Sequence, residues 1–182
     1  LSPLDGERCR LNAIDIDRQT DFPASGPEPS RQEPWANYVK GVWQGLIAGH
    51  GSPPAFAATY GGSLPFGSGL SSSAALEVSA ALALAAFLGQ HRTALELARL
   101  CQRAEITFAG VRCGLLDQLS SLYGREGCLM AIDFRSLQVS QAPFAEQCCF
   151  ALCNTHVQHE LVDSEYNLRR QQCEKARTAL DG

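Results

Sequence analysis

Several signatures that would settle a function at a glance are missing from these 182 residues. No Gly-Lys-Ser/Thr follows Gly67 and Gly69, which excludes a P-loop, and Ser72 stands where a dinucleotide fingerprint needs its third glycine. The eight cysteines form no Cys-x-x-Cys pair, and no histidine sits at zinc-finger spacing, so neither a zinc site nor a small disulfide scaffold is expected. Several cysteines fall in apolar stretches such as "CCFALC", and read as small buried hydrophobes in a reducing cytosol. Histidines 50, 91, 156 and 159 are scattered, read as loop or surface residues, and give no Ser-His-Asp set. A net charge of −4 with no basic stripe argues against nucleic acid. The apolar run at Ala80–Leu88 is too short for a bilayer, and Asp5, Glu7 and Arg8 rule out a signal peptide at the start. A cytoplasmic protein with no membrane partner is expected.

What is present describes a globular domain, or part of one, with 45% apolar and 19% charged residues. The first residue is Leu1, which suggests a fragment or a processed chain. Residues 1–22 read as strands at a sheet edge, and the proline-rich stretch 23–34 as a loop. Trp35, Tyr38, Val39 and Val42 fall at i, i+3, i+4 and i+7 and predict a helix with one apolar face. A short strand at Phe56–Tyr60 leads into a Gly/Ser loop and a long helix over about Ser72–Leu88. Thr93 and Glu96 form a capping box that opens a further helix with a stripe of Leu97, Leu100, Cys101, Ala104 and Phe108. "LLDQLSSLYG" resumes a helical pattern. "CLMAIDF" (128–134) and "CCFALCNT" (148–155) read as strands, and 160–180 as a final helix. Strands do not recur at regular βαβ spacing, so the class is α+β.

Three features carry chemistry. The first is "PFGSGLSSSAAL" (65–76), where glycines and serines run straight into a helix. Glycines permit positive φ and close backbone approach, and a helix start attracts phosphate; a plain turn capping a buried helix is the alternative. The second is Glu105, about 80° around its helix from Leu97 at ~100° per residue. It is either a rim carboxylate facing solvent or a group pointing into a cleft. The third is Asp117, set among Leu115, Leu116 and Leu119 as either an N-terminal helix charge or a catalytic group. A nucleotide triphosphate brings Mg²⁺, which takes few protein oxygens and keeps its waters. Glu105 is the carboxylate candidate and Ser73 the hydroxyl candidate, with Ser72 second.

The same loop, "PFGSGLSSSAALEV", resembles the phosphate-binding motif of the galactokinase, homoserine kinase, mevalonate kinase and phosphomevalonate kinase superfamily. "WANYVKGV" (35–42), "CGLLDQLSSLYG" (113–124), "AIDFRSL" (131–137) and "SEYNLRRQQCE" (164–174) follow in galactokinase order. A "GEHTDY"-like segment and the C-terminal glycine-rich motif are not found, so the chain resembles the central part of a galactokinase.

The resemblance implies the small-molecule kinase fold with a ribosomal protein S5 domain 2-like N-terminal domain, incomplete in this chain. Residues 1–150 would form that domain, and 151–182 the start of a second domain or a linking helix. It implies Gly67, Ser68, Gly69, Leu70, Ser71, Ser72 and Ser73 around ATP, Ser73 and Glu105 on Mg²⁺, Asp117 as catalytic base, and Asp117, Gly114 and Tyr166 on the sugar. The implied reaction moves the γ-phosphoryl group of ATP to the anomeric hydroxyl of galactose, in a monomeric complete enzyme. A non-catalytic sensor that binds ATP and galactose, and a kinase for N-acetylgalactosamine, are the competing readings. Alone, the chain is expected to be marginal and to leave an apolar face without a partner.

Overall fold

Cys9 and Leu11 are fully buried while Arg8 and Arg10 between them are exposed, the period-two pattern of a half-buried strand. In the computed structural model, which describes residues 1–65, 67–145, 147–153 and 165–181, this strand is β2 (Arg8–Ala13). The side chains of Glu165, Tyr166 and Asp181 are outside that description. β2 lies inside a four-stranded sheet of order β1-β4-β2-β3, with β1 at Ser2–Leu4, β3 at Arg18–Pro23 and β4 at Ala55–Tyr60. The sequence expectation of edge strands therefore holds for β1 and β3 but not for β2. β2 pairs antiparallel with β3 and parallel with β4. The connection back to β4 runs through β3 and helix α1 (Pro34–Leu46).

Helix α1 is buried nearly all round and not on one face: Ala36, Asn37, Val39, Lys40, Gly41, Val42, Trp43 and Leu46 are all covered. Its neighbours explain this, because α2 (Ser72–Phe87), α3 (Ala94–Ala104) and the sheet all close on it. Trp43 packs edge-on against Phe56 of β4 at 4.8 Å, and Phe56 in turn meets Phe22 and Phe87. The Trp43 indole N–H donates to the Ala24 carbonyl at 2.8 Å, so the largest core side chain carries no unpaired donor. Asn37 fixes the proline-rich loop from below. Its Oδ1 accepts from Ser30 N–H at 2.7 Å and its Nδ2 donates to the Ser30 carbonyl at 3.0 Å.

α1 and α3 run antiparallel and touch through glycine. A Cβ added at Gly41 would stand 2.8 Å from Ala104 Cβ and 2.9 Å from its Cα; one at Gly45 would stand 3.2 Å from Leu100 Cγ. α3 begins with the expected capping box: Thr93 Oγ1 accepts from Glu96 N–H, and Glu96 Oε2 accepts from Thr93 N–H. After Ala104 the helix widens into a π turn, Glu105–Ala109, where Gly110 N–H donates to the Glu105 carbonyl. Such turns insert a residue into the helical register and are frequent at functional sites. Phe108, expected in the stripe, is accordingly only half-buried.

Helix α4 (Leu116–Tyr123) packs on α2 and α3. β5 (Cys128–Asp133) and β6 (Gln138–Pro143) form a separate antiparallel hairpin, and α5 (Glu165–Asp181) follows. The predicted strand at 148–155 does not form over its described part, 148–153; no neighbouring strand offers it a ladder, and β6 takes the pairing instead. Phe150 and Leu152 are three-quarters exposed there. The cysteine expectation holds only in part. Cys9 and Cys101 are buried, but Cys148, Cys149, Cys153 and Cys173 are exposed, all as free thiols. Among the described residues no helix is long and apolar enough to cross a membrane. His156 and His159 are outside the described residues.

Candidate functional site

The 67–73 loop meets the start of α2 in an unusual backbone form. Gly67, Gly69 and Ser71 all have positive φ, at +66°, +76° and +56°. Alternating hand turns successive N–H groups inward, the concavity that binds anions. Glycine adopts it freely; Ser71, with a Cβ, is held there at a cost of roughly 1–2 kcal/mol. Ser71 occupies the N-cap position of α2, yet its side chain makes no capping hydrogen bond. The plain capping explanation of the serines therefore does not hold at this position. The first N–H groups of a helix have no partner within it, and those of α2 begin where this loop ends.

A cleft of about 460 Å³ opens on this loop. It is lined by Gly67, Gly69, Ser71, Ser72, Ser73, Glu105, Val111, Cys113, Gly114, Leu116 and Asp117. The residues singled out in three separate segments thus come together, apart from Ser68 and Leu70, which sit in the loop without lining the cleft, and Tyr166. The Ser68 hydroxyl instead donates to the Pro65 carbonyl at 2.8 Å, bracing the loop. Asp117 is exposed at the cleft, in the first turn of α4. The side chain of Tyr166 lies outside the described residues.

Glu105 is not a rim carboxylate. It is 4% exposed, on a π turn packed against α1 and α3, with Gln118 of α4 against its carboxyl. Burial raises its carboxyl above the usual range; hydrogen bonds from Cys113, Ser73 and Gln118 oppose the rise, and the charge of Asp117 adds to it. Beneath it lie two fully buried polar side chains that sequence reasoning passed over. Gln118 Nε2 donates to Glu105 Oε2 at 2.9 Å and to Glu77 Oε2 at 3.2 Å. Burial first, and Glu105 second, push the Glu77 carboxyl up to about 9. Tyr38, on α1, is pushed up to about 12 by burial and by these same acidic groups. Glu77 follows Ser73 by one helical turn and Gln118 adjoins Asp117; that adjacency was the available signal.

A second cavity, about 250 Å³ and almost wholly apolar, adjoins the cleft through Ser72. Trp35, Tyr60, Leu64, Ala75 and Leu76 contribute to its walls. Among the described residues no three His, Cys, Asp or Glu side chains gather as a metal cluster.

Residues 37–125 match the family model described as "GHMP kinases N terminal domain", a span that takes in the whole polar cleft. The chain belongs to the GHMP kinases and carries their N-terminal domain. Within that family it is similar to galactokinases. It is 42% identical to that of Bos taurus over 163 residues, covering 85% of this chain and 41% of the relative. It is 40% identical to that of Actinobacillus pleuropneumoniae over 182 residues, covering 97% of this chain and 46% of the relative. A solved structure, Lactococcus lactis galactokinase complexed with galactose, superposes with a TM-score of 0.83 at 27% identity over 98% of this chain and 47% of its own. The chain thus spans less than half the length of each of these galactokinases.

Proposed function

We propose that the complete protein is a galactokinase, transferring the γ-phosphoryl group of ATP to the anomeric hydroxyl of D-galactose. One observation carries the reading: a single cleft joins an anion-binding loop at a helix start, a buried carboxylate and an exposed aspartate. The adjoining apolar cavity, flanked by Trp35 and Tyr60, suits a flat nucleotide base, so Ser72 stands where base side and phosphate side meet. Residues 1–150 act as the nucleotide and catalytic domain, and 151–182 begin a second domain or linking helix.

Phosphoryl transfer depends on positioning and charge stabilisation more than on covalent help from the protein. The N–H groups of the 67–73 loop cradle the phosphates. Ser73 and Glu105 offer one hydroxyl and one carboxylate, an all-oxygen pair that suits Mg²⁺, which takes its other ligands from phosphate and water. Their fit is supported by the burial that holds Glu105 above its usual range, since a cation favours the charged form. Mg²⁺, when bound, would neutralise charge on the terminal phosphates. Asp117 accepts the proton of the attacking hydroxyl as its oxygen bonds to the γ-phosphorus and ADP leaves. Gly114 and Tyr166 contact the sugar. The protein acts as a cytoplasmic monomer.

The test is ADP release by the complete protein with galactose as acceptor. ATP- and galactose-dependent turnover is expected. Nucleotide and galactose binding without turnover would replace the reading with a sensor, and turnover on N-acetylgalactosamine alone would replace the substrate.

A further inference from the structure

Three buried polar groups lie behind the cleft wall, and the reaction outlined above uses only one of them. Glu77 and Gln118 are both fully buried, on α2 and α4 respectively. Burying polar groups is unfavourable unless they are hydrogen-bonded, and an apolar trio would pack this space at less cost. Their arrangement is directional. One amide nitrogen serves both acids, and Glu105 takes the shorter bond, 2.9 Å against 3.2 Å. Among the described residues, Glu77 Oε1 and Gln118 Oε1 have no hydrogen-bond partner. Turning the amide over would set its oxygen against two acidic groups, so the acids themselves fix its orientation.

We propose that Gln118 and Glu77 are positioning residues for phosphoryl transfer: Glu77 anchors the Gln118 amide in the core, and that amide holds the Glu105 carboxylate at the cleft wall. This rests on the kinase reading above. The two helices that bear Ser73 and Asp117 thereby also carry the groups that aim Glu105, so the three site residues keep one geometry. Without the amide, Glu105 Oε2 and Glu77 Oε2 lose the donor they share.

The experiment uses the complete protein, with Mn²⁺ as the probe, titrated by electron paramagnetic resonance in the presence of a non-hydrolysable ATP analogue. The Mg²⁺ dependence of turnover and the KM for galactose are measured alongside. Gln118→Leu should weaken Mn²⁺ binding by about tenfold or more, the usual effect of removing a partner that orients a metal ligand, with the galactose KM little changed. Glu77→Leu should act in the same direction. Glu77→Gln should return most of what Glu77→Leu loses, because it still accepts from the Gln118 amide. A folded Gln118→Leu protein with parental Mn²⁺ affinity overturns the proposal. If Gln118→Leu does not fold, the Glu77 pair decides, and equal affinities for Glu77→Leu and Glu77→Gln overturn it. A parent protein that neither binds Mn²⁺ with nucleotide nor turns over ATP overturns the kinase reading and this proposal together.

Discussion

Replacing Gly41 by alanine sets two opposing effects against each other. Glycine inside a helix is worse than alanine by about 1 kcal/mol, so propensity alone predicts a more stable protein. The added Cβ, however, would stand 2.8 Å from Ala104 Cβ and 2.9 Å from Ala104 Cα. Ordinary carbon contacts lie at roughly 3.5–4.0 Å, so α1 and α3 must separate by most of an ångström. The obstruction is the first carbon and the backbone of a helix, neither of which has a rotamer to change. Overpacking of this kind costs typically about 1–3 kcal/mol, and with a backbone neighbour the upper part of that range applies. The net expectation is a loss of about 1–2 kcal/mol. At roughly 2–4 °C per kcal/mol for a unit of this size, the melting transition of this domain should fall by about 2–8 °C, followed by circular dichroism. Gly45→Ala is the control. Its Cβ meets the Leu100 side chain at 3.2 Å, which can move, so the propensity gain should roughly cancel the crowding. A Gly41→Ala protein as stable as Gly45→Ala would refute the argument. Because Ala104 precedes Glu105, Gly41→Ala should also raise the KM for ATP.

Asp117→Asn should keep the fold and ATP binding while losing most phosphoryl transfer; near-parental turnover would return Asp117 to the role of a helix charge. Thr93→Ala removes the hydroxyl that caps α3 and should cost about 1 kcal/mol in denaturant melts, with ATP affinity unchanged because Thr93 is absent from the residues lining either cavity beside the loop. The raised Glu77 carboxyl makes stability depend on pH. Its folded value of about 9 lies above the ordinary 4.5, so the folded protein binds more protons between them, and this group's contribution to stability is fully present below 4.5 and is lost as pH rises toward 9. From pH 5 to 8 the melting temperature of the parent should therefore fall more steeply than that of Glu77→Gln, and parallel curves would contradict the assignment.

Much of this was legible in the chain because local chemistry dominates at the places concerned. Thr93 and Glu96 cap a helix by reaching only three residues, and the serine run at 71–73 begins one because a glycine-rich turn lies before it and an alanine-rich run after it. The gathering of the 67–73 loop, Glu105 and Asp117 was anticipated from residue type and a family resemblance. What stayed hidden depends on neighbours distant in sequence. The burial of α1 on every side follows from α2, α3 and the sheet, none of which its own periodicity reports. "CCFALC" has the composition of a strand, but a strand needs a partner ladder, and β6 supplies one to β5 instead. Glu77 drew no reading from the sequence; only the approach of Gln118, 41 residues later, explains its burial. The positive φ of Ser71 has no signal in its residue type.

Asn167 of α5 grips the backbone on both sides of Val111. Its Oδ1 accepts from Arg112 N–H at 3.0 Å and its Nδ2 donates to the Gly110 carbonyl at 3.1 Å, while Arg112 reaches Glu174 at 3.6 Å, about two turns further along α5 on the same face. Val111 and Gly114 line the cleft. The grip spans 55 and 57 residues of sequence, so the floor of the cleft is geared to a helix that the loop itself does not contact in sequence. A shift of α5 must therefore either break both of these hydrogen bonds or carry residues 110–112 with it.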